Sequence, residues 1–148
     1  MNVYGPCTAE GIEFTIWLKN IDIPDDEDWI ILGDFNLYRY PENRNREGAD
    51  LNDMFLFNST ISHMVLSDIP LQSKKYTWSN MQQPPLLEKL DWVFTNNCWT
   101  LTYPETICKA FVLRSLITVP WLFPSHLLFP RLIFSDLKII GCSGMTFK

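Results

Sequence analysis

The run Trp29-Ile30-Ile31-Leu32-Gly33-Asp34-Phe35-Asn36, "WIILGDFN", constrains this chain more tightly than any other stretch. Four consecutive apolar residues read as a strand buried on both faces, since a half-exposed strand alternates apolar with polar. Gly33 then reads as a turn residue, with Asp34 and Asn36 at the strand's carboxyl edge, where α/β sites lie. Two apart in extended geometry, those side chains point the same way. A carboxylate orients or deprotonates a water, and a neutral amide beside it holds a phosphate oxygen without repulsion. Asp and Asn are also ordinary turn formers after a strand. The octapeptide alone leaves both readings open.

The flanking pattern places this strand among others. Asn2-Val3-Tyr4 reads as a strand end closed by Gly5-Pro6. Ala9 to Asn20 fits an amphipathic helix, and Asp22 to Asp28 an acidic loop. The polar segment "RYPENRNREGAD" leads to Asp50, which caps a second helix with Leu51, Met54, Phe55, Asn58 and Ile61 at helical spacing. Short strands are expected at Val65 to Ile69, Tyr76 to Ser79 and Lys89 to Phe94. The last carries Asp91 within "KLDWVF", either as an edge carboxylate facing water or as a buried acid that needs a partner. Helices and strands alternate and then strands follow one another, a mixed α/β or α+β layout. After Thr100 no period of two or of 3.6 persists, and the acidic residues thin to Glu105 and Asp136.

Composition narrows the function classes. With 148 residues, 47% apolar and 20% charged, the chain has material for one domain with a core. A net charge of −5 repels nucleic acid overall, so DNA contact would fall to Arg39, Arg44, Arg46, Lys74 and Lys75, or to a bound metal. Cys7, Cys98, Cys108 and Cys142 form no metal-spaced pair, which argues against structural zinc. No secretory signal opens the chain, so reduced intracellular thiols are expected. Residues 115–130 are uncharged, yet Pro120, Pro124 and Pro130 break any spanning helix there, so no membrane association is expected. His63 and His126 lack ligand-spaced partners, and Ser59 and Ser79 lack the pattern of a serine hydrolase.

Taken in order, "NVYGP", "WIILGDFNLYRYPENRNREG", "YTWSN" and "LLEKLDWVF" resemble the endonuclease/exonuclease/phosphatase superfamily. Within it, they resemble the endonuclease region of plant LINE-type (non-LTR) retrotransposons. The resemblance runs from Asn2 to about Trp99. It implies a DNase I-like four-layer α/β sandwich, of which residues 1–99 form the carboxyl-terminal half, followed by a non-native tail over 100–148. It also implies Mg²⁺-dependent hydrolysis of a phosphodiester in DNA, and a nuclear location if the retroelement role is retained. Tyr4 would contact the scissile phosphate, Asp34 would position the nucleophilic water, and Asn36 would hydrogen-bond the phosphate. Asp91 would orient a catalytic histidine, and Trp78 would be packing.

The chain departs from that pattern in two places. The family's catalytic Asn and metal-binding Glu belong to an amino-terminal half that this sequence does not carry, and no Ser-Asp-His occurs in it. Mg²⁺ is therefore expected to bind poorly. Ser135-Asp136-Leu137 resembles the missing motif but is read here as a decoy. Leu116-Ile117-Thr118-Val119 can be encoded CTG ATC ACN GTN, and read one base earlier after a T this becomes TCT GAT CAC, Ser-Asp-His. The same shift gives Phe-Arg-Phe-Glu from Phe134 to Lys138, and Asn-Tyr-Trp-Leu from Ile139 to Cys142. A one-base frameshift between about Trp99 and Leu116 is thus expected, and genomic nucleotides with no Ser-Asp-His in any frame there would refute it. The expectation is an inactive remnant of a retroelement endonuclease. The alternatives are a non-catalytic binding protein that self-associates through exposed sheet edges, and a phosphoesterase of the same superfamily.

Overall fold

A computed structural model describes residues 1–7, 11–24, 26–72 and 74–110, together with the backbone of 137–140. The uncharged run 115–130, His126, the Leu116–Val119 segment, Ser135, Asp136 and Cys142 lie outside the described residues, as does the expected start of the first helix at Ala9. The protein is a mixed α/β fold. Its elements are β1 (Asn2–Tyr4), α1 (Gly11–Lys19), β2 (Ile30–Asp34), a 3₁₀ turn (Pro41–Asn43), α2 (Leu51–His63), β3 (Ser67–Asp68), β4 (Trp78–Ser79), β5 (Leu87–Glu88), β6 (Asp91–Thr95), α3 (Asn97–Thr102), β7 (Ile107–Ala110) and β8 (Leu137–Ile140).

The central sheet runs in the order β1-β2-β6-β3, with β1 parallel to β2 and the other pairs antiparallel. The β1-α1-β2 unit is the crossover that a parallel pair requires. Burial of "WIIL" on both faces holds, and the period of two divides its residues. Ile31 joins Phe35, Trp92 and Phe94 against Phe14 and Leu18 of α1 and Phe57 and Ile61 of α2. Ile30 turns the other way, to Val93, Trp99 and Cys108. Phe35 centres the first layer, with the rings of Phe57 and Phe94 both 5.4 Å away. The Trp92 indole N–H is satisfied by the Leu37 carbonyl at 3.0 Å.

Gly33 is not a turn residue. It lies inside β2, paired with Val3 on one side and Trp92 on the other. A Cβ there would stand 1.9 Å from the Val3 carbonyl oxygen, so glycine is what lets the parallel strand approach.

Helix α2 begins as expected, with the Asp50 carboxylate accepting from the backbone N–H groups of Asn52 at 2.8 Å and Asp53 at 3.2 Å. Its inward face differs from the expected one. Met54, Phe57, Thr60 and Ile61 are buried, whereas Leu51 and Phe55 are 70% and 73% exposed. Helical spacing identifies a stripe but not the direction it faces, and Phe57 belongs to the stripe that the aromatic layer selects.

The short strands shrink or shift. Val65 to Ile69 contributes only Ser67–Asp68, because Val65 (φ 53°) ends α2 in a left-handed turn. Tyr76 to Ser79 contributes Trp78–Ser79, and its partner β5 (Leu87–Glu88) was not expected. Helix α3 spans residue 99, and β7 brings Cys108 into the second layer.

Candidate functional site

Strand pairing sets three of the four expected site residues in one row. Tyr4 of β1 is the register partner of Asp34 of β2, and Asp34 is the register partner of Asp91 of β6. Register partners share a sheet face, so this row lies on the face of Ile30 and Val93, at the carboxyl ends of the parallel strands. Tyr4, on the edge strand, is 58% exposed, while Asp34 and Asp91 are 5% and 7% exposed.

Burial dominates the chemistry of both acids. It raises Asp34 above the usual carboxylate range, opposed by the Asn36 backbone N–H that donates to Asp34 Oδ1 at 3.1 Å. Asp91 is pushed up to about 7, first by burial and further by the Asp34 charge, against a hydrogen bond from Thr77 that favours its ionised form. The Thr77 hydroxyl oxygen also accepts from the backbone N–H groups of Leu90 (3.0 Å) and Asp91 (3.2 Å). Nothing local in "YTWSN" marks Thr77 for this contact, because its partners lie 13 and 14 residues away. Among the described residues, Asp91 Oδ1 is buried without a hydrogen-bond partner.

Asn36 does not extend the strand. Its φ of 52° takes the chain out of extended geometry, so its side chain does not share Asp34's direction. The amide nitrogen instead donates to the Gly5 carbonyl at 2.7 Å and approaches Cys7 Sγ at 3.7 Å. The Tyr4 hydroxyl lies 3.5 Å from the same sulfur. Asn36, Tyr4 and Cys7 thus gather at the mouth of the row, and Cys7 had no signal in the sequence beyond its place after Gly5-Pro6. Gly5 is required here by closeness, since a Cβ would meet the Phe35 carbonyl oxygen at 2.1 Å.

Beside this mouth opens a cleft of ≈ 400 Å³, lined by Asn36, Tyr38, Trp78, Glu88 and Leu90 among others. Trp78 is half-buried on its wall, outside the two core layers. The Tyr38 hydroxyl donates to Glu88 Oε1 at 2.5 Å, and Arg44 Nε lies 3.0 Å from the same oxygen. Burial first, and then Glu88, raise the Tyr38 phenol far above its ordinary range. Arg39 and Lys89, two of the few cations near the sheet, are turned to Asp68 at 3.7 and 4.0 Å. Lys89 Nζ also sits 3.8 Å from the centre of the Trp92 ring.

Mg²⁺ demands several hard oxygen ligands in near-octahedral order. Among the described residues, no group of three or more His, Cys, Asp or Glu is placed to hold a metal ion. Asp34 and Asp91 supply two carboxyl groups that burial biases toward their protonated forms. Among the described residues, no helix is long and apolar enough to cross a membrane.

No family model matches the chain, and no curated protein matches it. Among solved structures it is similar to a beta toxin from Staphylococcus aureus ("beta toxin 275-280"), at 18% identity and a TM-score of 0.42. The alignment covers 69% of this chain and 34% of that one, so the chain spans about a third of the toxin's length. Likeness at that level bears on neither substrate nor activity.

Proposed function

We propose that this chain is the carboxyl-terminal half of a DNase I-like endonuclease sandwich, of the kind found in plant non-LTR retroelements, and that by itself it does not cleave DNA. The observation that carries the reading is the row Tyr4–Asp34–Asp91 across β1, β2 and β6, with Asn36 at its mouth. A chance Gly-Asp-x-Asn turn has no reason to align with a second buried acid and an exposed tyrosine. In the ancestral reaction Tyr4 and Asn36 would contact the phosphate, Asp34 would position the attacking water, and Asp91 would hold a histidine. Mg²⁺, when bound to the complete family domain, neutralises phosphate charge. No step is assigned to it.

The inactivity is argued from the sequence, in which no Ser-Asp-His occurs to supply the histidine that Asp91 would orient. Incubating the protein with supercoiled plasmid and Mg²⁺ is expected to leave the plasmid intact. Nicking that disappears in Asp34→Ala would overturn the reading.

A second reading, a non-catalytic binding protein, is favoured by one observation. β1 ends the sheet, and no described strand pairs with its outer side. Such an edge is a template for another strand.

A further inference from the structure

The cleft beside Asn36 sets an aromatic ring next to a buried carboxylate. Trp78 of β4 and Glu88 of β5 are register partners, so their side chains leave the same face of the hairpin with Cβ atoms about 4.5–5.5 Å apart. Both line the ≈ 400 Å³ cleft. Glu88 is only 7% exposed. The Tyr38 hydroxyl at 2.5 Å and Arg44 Nε at 3.0 Å both meet its Oε1, which leaves Oε2 for a ligand. Asp53, in the first turn of α2, adds a second carboxyl group to the wall. Among the described residues, no Lys, Arg or His lines this cleft, and Arg44 meets Glu88 without lining it. Burial, and then the Asp50 charge, raise the Asp53 carboxyl above its usual range, so a cation there would relieve crowded negative charge.

We infer that this cleft receives a guanidinium group, carried by an arginine side chain of a partner peptide, with Trp78 beneath the planar cation and Glu88 and Asp53 as its acceptors. This goes beyond the endonuclease reading and does not depend on it. Two carboxylates with no cation on the wall repel phosphate and favour a positive group. A tryptophan face beside a carboxylate adds the attraction of the ring for a cation. Guanidinium fits better than ammonium because it is planar, stacks on indole, is weakly hydrated and divides its donors between two acceptors. The volume lies within the range of clefts that enclose small molecules. Leu37 and Leu90 on the wall give the arginine methylenes an apolar surface to cover.

The test is a titration of the full chain, followed at the indole N–H resonance of Trp78, which the loss of one indole signal in Trp78→Phe assigns. Arginine capped at both ends, as in a peptide, is expected to shift that resonance saturably with a millimolar Kd, and to bind more weakly as salt is raised. Capped citrulline has the same shape without the charge, and should bind on the order of tenfold more weakly or not at all. Capped lysine should bind more weakly than capped arginine, and inorganic phosphate should leave the resonance unmoved. Asp53→Asn is expected to weaken capped arginine severalfold while leaving the urea midpoint near that of wild type. It is preferred to a change at Glu88, which also holds Tyr38 and Arg44. No saturable shift with capped arginine overturns the inference, as does equal binding of capped citrulline or of capped lysine. A phosphate-induced shift of Trp78, or unchanged affinity in a folded Asp53→Asn, overturns it too. If Asp53→Asn does not fold, the comparison of capped arginine with capped citrulline on wild type decides.

Discussion

At Gly33 one missing side chain decides whether β1 can lie beside β2. A methyl group at 1.9 Å from the Val3 carbonyl oxygen has backbone, not a flexible side chain, in its way. Gly33→Ala is expected to cost at least about 2 kcal/mol, read as a lowered urea midpoint, because the strand pair must open. A midpoint within error of wild type would show that β1 is not held in this register. Asn96, which the sequence did not mark, does comparable work by hydrogen bonding. Its carbonyl oxygen accepts from the backbone N–H groups of Trp29 and Trp99, and its amide donates to the carbonyls of Pro24 and Glu27. One side chain thus fastens the loop before β2 to the cap of α3. Nothing local distinguishes it from any other loop asparagine, since all its partners except Trp99 lie more than sixty residues away.

At the level of elements, the end of α2 is under strain. Leu66 N–H bonds the Ile61 carbonyl at 3.1 Å, a Schellman closure, with Val65 in the left-handed position that glycine usually fills. A β-branched residue there carries a penalty of roughly 1–2 kcal/mol. Val65 is 61% exposed, so its side chain contributes little packing in return. Val65→Gly is expected to stabilise the fold by about 1 kcal/mol, less than the full penalty because glycine gains freedom in the unfolded chain. A lowered thermal midpoint would show that the Val65 side chain does more than end the helix. The start of the same helix was legible from Asp50. Its inward face was not, because Phe55 and Phe57 are equally apolar and it is the rings of Phe35, Trp92 and Phe94 that select Phe57.

Over the whole molecule, the four-stranded sheet is covered on one face by α1 and α2 and on the other by Trp99 and Cys108. Among the described residues, its β1 edge pairs on one side only. If that edge recruits a second copy, sedimentation velocity over a hundredfold concentration range should show a monomer–dimer shift. Substituting Asn2 with proline, which removes a strand donor, should weaken it. A monomer at every concentration would remove the support for the self-associating reading. Of the cations expected to meet DNA, Arg39 and Arg44 are engaged with Asp68 and Glu88.

What the sequence determined by itself was local and periodic: a doubly buried strand from Ile30 and an aspartate cap at Asp50. Those follow from side-chain chemistry within a few residues. Tertiary structure alone decided that Gly33 is a close approach rather than a turn, and that Asn36 bends away from Asp34 to hold the Gly5 carbonyl. It alone set Tyr4, Asp34 and Asp91 in one row. Register between strands nearly sixty residues apart is fixed by which aromatic rings fill the space between sheet and helices, and no short window of sequence contains that information.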